Sequence, residues 1–439
     1  MPSILEVNIE RLVAKCEEKT YFEITFKVPE NVSKIEVSYS YKRREIKRDE
    51  TGDEFNREIN VVDIAIRDES KTFRGWSGSE RLYFYITENE STPGYIRGII
   101  NEGEWAIILG AYKIQEKGCR VSLNIKFTLK ERILLKGDLH VHSIHSDGKY
   151  EVPDLIKLAK LHEMDYMLLT DHNTFSQCEE IKSSDSLVVI PGMEWTHYNG
   201  HCNFLGVKNP IKNFVSNDKE KTIEIMNEAK ASGALVILNH PHCQYCGWKW
   251  GFDVPFHAVE IWNGPMKKSE YDTVEWWNSK LIEGERIPIV GGSDSHKNEL
   301  LRMIGTPTTF LYSYSRGQSD ILNAIKNGHS FVSYKVNGPI MEFSVGKDIM
   351  GDCIDLKENK IGLVKVENVG FKDEIKLISD KGIEKIYEVN EESTKTFTFE
   401  VEKRKFYRIE VWREILPKML TLVSISNPIY IRKWIDEKY

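Results

Sequence analysis

The spacing of apolar and polar positions changes character twice along the chain. Over residues 1–132, short runs at 21–28, 35–41, 82–86, 105–109 and 121–129 alternate in polarity or are rich in aromatic and β-branched residues, as half-buried strands require. Turn-forming stretches separate them, including Arg74-Gly75-Trp76-Ser77-Gly78 and Ser91-Thr92-Pro93-Gly94. This rhythm predicts an N-terminal β-sandwich. From 133 to 336 apolar strands alternate with helical segments. Pro153 opens a helix that runs to about 163, a strand covers 166–170, and a helix over 218–232, closed by Gly233, leads into a strand at 234–238. Strands at 258–262 and 288–292 and a helix at 319–327 complete the series, which implies an α/β fold with a parallel sheet or barrel. Residues 337–439 return to alternation at 361–366, 374–378, 396–401 and 406–412, predicting a small C-terminal β-sandwich.

A length of 439 residues exceeds what one compact core accommodates, in keeping with this division into 1–132, 133–336 and 337–439. Apolar content of 41% and charged content of 29% describe an ordinary globular chain. The net charge of −7 comes from interspersed acids and bases, so no basic track predicts a nucleic-acid partner. A small phosphorylated substrate stays compatible with that balance. The opening MPSILEVNIERLVAK lacks the pattern of a secretion signal, and no apolar run approaches the roughly 18 residues of a membrane span. Seven scattered cysteines read as reduced thiols, so a cytoplasmic location is expected. Nothing in the pattern sets an oligomeric state.

Histidine placement concentrates the chemistry. All 12 histidines lie between His140 and His329. In Gly137-Asp138-Leu139-His140-Val141-His142-Ser143-Ile144-His145-Ser146-Asp147-Gly148, a strand would point His140 and His142 to one face, about 7 Å apart. Gly148 permits a tight turn that returns Asp147 toward them. Strand ends also deliver His172 in Thr170-Asp171-His172, Glu194 in Gly192-Met193-Glu194, His201 after Gly200, His240 in Asn239-His240-Pro241, and Asp294 with His296 in Ser293-Asp294-Ser295-His296. Imidazole and carboxylate without thiolate suit zinc, manganese or iron. These nine donors exceed the needs of one tetrahedral ion, so two or three divalent ions are expected, with a carboxylate bridging two of them. Water held between such ions is the expected nucleophile, and no separate general acid stands out.

The Asp-Leu-His-X-His…Ser-Asp-Gly, Thr-Asp-His, Gly-X-Glu, Asn-His-Pro and Ser-Asp-Ser-His series resembles the PHP (polymerase and histidinol phosphatase) superfamily over about 133–336. The resemblance implies a distorted, TIM-like (β/α)7 barrel holding two or three metals, in enzymes that mostly hydrolyse phosphoesters. It implies one ion on His140, His142, Glu194 and Asp294, a second on Asp147, His172 and His296, and a third shared by Glu194 with His201 and His240. Arg74-Gly75-Trp76-Ser77-Gly78, Thr92-Pro93-Gly94-Tyr95, Gly103-Glu104-Trp105 and Ser426-Asn427-Pro428-Ile429-Tyr430 look like the carbaryl-hydrolase-like (CehA/McbA) branch. That branch flanks the barrel with β domains and includes carboxyl-ester and carbamate hydrolases. A PHP-type metal-dependent phosphoesterase acting on a small ester is therefore expected first, and a carboxyl-ester or carbamate hydrolase second. A non-catalytic binding protein stabilised by its metals is the third reading.

Neighbouring residues have plainer alternatives. Asp138 and Asp171 either orient the adjacent imidazoles or cap loop backbone. Trp195, His242, Lys297 and Arg302 are the expected substrate contacts, with core packing the competing role for tryptophan and solvated charge for the cations. Trp248, Trp250 and Trp262 pose the same choice as Trp195. His145, His162, His197, His257 and His329 read as solvated or structural, and Cys243-X-X-Cys246, lacking a second pair, is weak as a zinc motif.

Overall fold

A computed structural model describes residues 4–182, 186–297, 299, 302–356, 360–390 and 393–432. The chain divides into two compact units, Met1–Glu131 and Arg132–Tyr439.

In the first unit, two antiparallel four-stranded sheets enclose one apolar core. Ile4–Val13, Cys119–Leu129, Val32–Tyr41 and Tyr83–Thr87 form one sheet, and Tyr21–Val28, Gly103–Lys113, Val61–Arg67 and Phe73–Ser77 form the other. Alternate side chains fill the space between them: Phe26 stacks on Phe127 at 6.2 Å between ring centres, and Trp105 is fully buried. The Arg74-Gly75-Trp76 stretch has a structural task here. Arg74 donates to the carbonyls of Ile96, Gly98 and Ile99, and its guanidinium lies 5.4 Å from the Trp105 ring. Gly75 has a φ of +132°, and a Cβ there would meet the Tyr95 Cα at 2.5 Å, so no larger residue fits.

The second unit is built on a long sheet whose first strands carry the histidine motifs. β1 (Ile133–Val141), β2 (Tyr166–Leu169) and β3 (Val188–His197) are parallel, and β4 (Gly200–Leu205) runs back against β3. β5 (Leu235–Leu238), β6 (Ala258–Asn263) and β7 (Ile289–Gly292) resume the parallel course. The chain after β7 then returns to β1: Asp294 N–H donates to the His140 carbonyl at 2.8 Å and His142 N–H to that of Ser295 at 3.1 Å. β8 (Thr308–Ser313) and β9 (Ser330–Ser333) extend the sheet from the other side of β1.

Strict alternation of strand and α-helix fails from β2 to β4 and again between β5 and β6. Only Tyr198 and Asn199 join β3 to β4, too short a link for a parallel crossover, so the pair closes as a hairpin. Four α-helices occur among the described residues: α1 (Val152–Leu161), α2 (Lys219–Ala231), α3 (Lys268–Glu283) and α4 (Gln318–Lys326). Pro153 stands in the first turn of α1, and Asp218 caps α2 by accepting the Lys221 N–H at 2.7 Å. None of these helices is long and apolar enough to cross a membrane. α3 lies where no helix was predicted. Its buried stripe is Glu270, Thr273, Trp277 and Leu281, correct in spacing but polar at two of four places, which hides it from a hydrophobic-period reading.

The C-terminal segment continues the same sheet. Strand Met419–Ser426 pairs with β9, followed by Phe406–Leu416, Glu374–Ser379 and Gly382–Glu388. A separate four-stranded antiparallel sheet, Asp348–Ile349, Ile340–Val345, Ile361–Val369 and Ser393–Glu400, packs into a common core with it. Asn427 stitches the two regions together. Its side chain accepts the Ile289 N–H at 2.9 Å and donates to the Ile289 and Ser330 carbonyls at 3.0 and 2.9 Å.

Candidate metal centre

Every donor residue reaches one end of the sheet. Parallel β1, β2, β5 and β7 deliver theirs at or just past their carboxyl ends, whereas antiparallel β4 presents His201 from its start. Gly292 lets the β7 end approach β1, since a Cβ there would stand 2.4 Å from the His140 Cβ.

Glu194 is the hub. Fully buried, it directs Oε2 at His140 Nε2 (3.3 Å), His142 Nε2 (3.5 Å) and His172 Nδ1 (2.9 Å). Its Oε1 faces His201 Nδ1 (3.1 Å) and His240 Nε2 (3.4 Å) and accepts from Asn239 Nδ2 at 2.8 Å. Asp294 Oδ1 stands 3.1 Å from His142 Nε2 and 3.5 Å from His140 Nε2. At the rim, Asp147 lies 3.1 Å from His296 Nε2 and 3.7 Å from His172 Nε2, with its side chain 60% exposed. All nine predicted donors therefore meet. Ligand atoms cluster within 4.8 Å of one another in the sets His140, His142, Asp294; His142, Asp147, His172, His296; and His172, Glu194, His201.

Close approach here is not the same as pairing. His140 Nε2, both ring nitrogens of His142 and Glu194 Oε2 are buried and lack any hydrogen bond of acceptable geometry. Leaving such groups unsatisfied costs about 1–3 kcal/mol each, and more for charged ones. Of these, His140 Nε2 and His142 Nε2 stand within 3.5 Å of Glu194 Oε2 with no proton aligned between them, an arrangement divalent cations would satisfy, so the residues present fit such ions.

The electrostatics agree. Burial pushes His140 toward the neutral form, but the charges of Glu194, Glu260 and Asp294 outweigh it and hold the imidazole well above its ordinary value. His172 and His240 are likewise raised against burial, chiefly by their close approach to the charged Glu194 carboxylate. Burial dominates at His142 and lowers it. Glu194 is held well below the usual carboxylate range because the charge of His140, the close approach of His172 and the hydrogen bond with His201 overcome its burial. Asp294 is depressed in the same way by His140 and His142. Metal uptake must accordingly expel protons from the raised imidazoles while the carboxylates stay ionised, so affinity should climb with pH through the neutral range. Calorimetric titration in buffers of different ionisation heats should register net proton release; uptake without it would contradict this arrangement.

Glu260, unmarked by any motif, emerges from β6. It is 2% exposed, accepts from His140 Nδ1 at 2.9 Å, from the His240 N–H at 3.0 Å and from Asn263 Nδ2 at 3.1 Å. The first contact leaves His140 Nε2 free to face Glu194. A lone carboxylate inside the wholly buried strand Ala258–Asn263 was the available signal, because a charge so placed needs partners. Glu260→Gln is expected to weaken metal retention roughly 10- to 100-fold in a chelator competition, and unchanged affinity would remove this role.

Asp138 and Asp171 touch no imidazole. Asp138 accepts backbone N–H groups of His140, Ser293 and Gly305 at 3.1, 2.9 and 2.7 Å, tying β1 to the loop after β7. Asp171 accepts from the Ser143 N–H at 2.8 Å and from the Ser143 and Ser146 hydroxyls at 2.9 and 2.8 Å. Capping of loop backbone is thus what their contacts accomplish.

The predicted substrate contacts scatter. Trp195 is fully buried in the core, its Nε1 donating to the Phe214 carbonyl at 2.8 Å, because neighbours in a strand face opposite ways and Glu194 takes the pocket side. His242 bonds Thr273 Oγ1 at 3.1 Å and packs beside Phe252 and Trp276. Lys297 is paired with Glu299 at 2.7 Å. Arg302 lies beyond the end of β6, where a Cβ on Gly264 would come within 3.1 Å of its Nε. The space beside these candidate donors is instead a cavity of about 500 Å³ walled by Tyr198, His201, Phe214, Val215, Tyr245 and Cys246, among others. Among the described residues, its lining includes no lysine or arginine.

The chain matches the family described as PHP domain over residues 138–408. No curated protein matches it. Among solved structures it is similar to a two-domain protein from Bacteroides vulgatus containing a predicted PHP-like metal-dependent phosphoesterase. Identity is 17% over 67% of this chain and 95% of that one, with a TM-score of 0.40. It is also similar to a protein from Bifidobacterium adolescentis named as a candidate metal-dependent phosphoesterase, at 14% identity over 38% of this chain and 90% of that one, with a TM-score of 0.28.

Proposed function

Because the chain belongs to the PHP domain family, we propose that it is a metal-dependent hydrolase cleaving a small phosphoester. His140, His142, Glu194 and Asp294 would hold one divalent ion, Asp147, His172 and His296 a second, and Glu194 with His201 and His240 a third. Zinc, manganese or iron in these positions would supply an activated water at neutral pH and positive charge toward a developing oxyanion. The chain's own part is to keep the carboxylates ionised and the donors aimed and largely dry. One observation carries the reading: a single buried carboxylate stands within 3.5 Å of five imidazoles while its Oε2 lacks a hydrogen bond. The same proposal treats β1–β7 as a distorted (β/α)7 barrel, between β-sandwiches over 1–132 and 337–439, in a cytoplasmic enzyme. Seven strands in chain order and the return of the last to the first support it.

A second reading changes the scissile bond. A cavity walled by aromatic rings and lacking cations suits a neutral carboxyl or carbamate ester better than a dianionic phosphate. The flanking motifs resembling the carbaryl-hydrolase-like branch point the same way. Purified protein, stripped and reloaded with manganese or zinc, should be compared on p-nitrophenyl phosphate, bis-p-nitrophenyl phosphate and p-nitrophenyl acetate. Metal-dependent turnover of a phosphate ester supports the first reading and preference for the acetate supports the second. Failure on all three by protein of verified metal content would leave neither.

A further inference from the structure

Two of the seven cysteines stand apart from the rest. Cys243 and Cys246 place their sulfurs 3.0 Å apart, the only such sulfur pair among the described residues. The turn that carries them is tight: Cys243 N–H donates to the His240 carbonyl at 2.9 Å and Gly247 N–H to that of Cys243 at 3.0 Å. A Cβ on Gly247 would meet that last oxygen at 2.5 Å, so glycine is required for the turn to close. The buried Trp248 anchors the far end, its N–H donating to the Pro241 carbonyl at 2.8 Å.

The pair also borders the metal centre. Cys246 Sγ lies 3.6 Å from His240 Nδ1, and its ligand atom falls within 4.8 Å of those of His201 and His240. Two inner imidazoles share a pattern. His140 Nδ1 meets Glu260 and His240 Nδ1 meets Cys246, while Nε2 of each faces Glu194. Each contact sets which ring nitrogen bears the proton and leaves Nε2 for the pocket. Cys246 also lines the cavity, and both thiols are partly exposed, so a small oxidant can reach them.

We infer that Cys243 and Cys246 form a reversible disulfide that governs how firmly His240 and His201 hold their ion. The inference rests on the reading of those histidines as ligands. In the oxidising step one cysteine sulfur attacks a low-molecular-weight disulfide, RSSR, forming a mixed disulfide and releasing RSH. The second cysteine displaces the other RSH. Two S–H bonds are lost, one S–S bond forms, and two electrons and two protons leave in the two RSH molecules. Closure needs the sulfurs to approach by only about 1 Å. It replaces a thiol beside His240 Nδ1 with a disulfide sulfur, a poorer hydrogen-bond acceptor and cation ligand.

The test uses full-length, metal-loaded protein equilibrated across reduced-to-oxidised glutathione ratios. Intact mass reads the loss of two hydrogens, elemental analysis reads metal content, and a chromogenic chelator reads release. Wild type should form the disulfide and then release part of its metal about tenfold faster, with reduction restoring retention. Cys243→Ser should keep the slow release under the same oxidant. Absence of the mass change at every ratio would overturn the proposal, as would a formed disulfide that leaves release unaltered. Protein that takes up no divalent ion at all would overturn the ligand reading and this coupling with it, and elemental analysis distinguishes that failure from the other two.

Discussion

Glu194→Ala should lower metal-dependent hydrolysis by at least about 10³-fold, close to 4 kcal/mol of barrier, and strip ions from the protein. The expected size follows from geometry. One side chain faces five imidazoles from the interior, and among the described residues no second carboxylate contacts both His201 and His240 to replace it. Removing it also leaves crowded rings without the charge that balances them: those of His142 and His296 are 4.1 Å apart between centres, and those of His142 and His172 are 4.3 Å apart. Elemental analysis and a steady-state assay on the same preparation read both effects. Asp147→Asn is the useful comparison, because that carboxylate sits exposed at the rim and serves two histidines. A smaller loss is expected there. Wild-type metal content and rate in Glu194→Ala would end the hydrolase reading.

Stability should suffer most at Arg408. This guanidinium is 3% exposed, pairs with Glu410, donates to Asn278 Oδ1 at 3.0 Å and lies 5.2 Å from the Trp277 ring. It therefore joins strand Phe406–Leu416 to α3. Arg408→Ala would leave the Glu410 carboxylate, 4% exposed, with only the Trp412 indole N–H at 2.7 Å. A buried charge stripped of its partner costs about 3–5 kcal/mol, a loss readable in the urea midpoint or Tm. Replacing both members, Arg408→Met with Glu410→Leu, should recover much of that loss, because no charge then stays buried alone. A single variant as stable as wild type would show that water reaches Glu410.

The nine donors could be found from sequence because their requirement is local. Most lie at or near the end of an apolar strand, as in Leu168-Leu169-Thr170-Asp171-His172, and His201 stands beside the turn glycine Gly200. Glu260 escaped because its partners lie far away in the chain, His140 being 120 positions distant. Of the two roles open to Trp195, period-two geometry already favoured core packing, because it assigns this side chain the face opposite Glu194. The β3–β4 hairpin was missed because a strand buried on both faces shows no alternation from which direction could be read. α3 was missed because Glu270 and Thr273 occupy inward positions that a hydrophobic count passes over. Lys297 and Arg302 attracted attention as cations beside a motif, while the cavity wall came from Tyr198, Phe214 and Tyr245, three loop positions that carry no periodic signal. Local chemistry could thus be read along the chain, whereas whatever depends on two distant segments meeting could not.

Asn427 and the strand before it have a consequence for how the protein can be dissected. A fragment ending at 336 would leave β9 with its outer backbone groups bare, since Phe331, Val332 and Ser333 pair with Ser426, Ile425 and Ser424. It would also forfeit the amide that secures Ile289, the first residue of the strand leading to Asp294 and His296. Such a fragment should recruit other copies along its naked margin and precipitate. The final hundred or so residues are thus a keystone for the histidine-bearing part, and an expression strategy that trims them as a detachable module would discard the piece that covers its edge and holds it together.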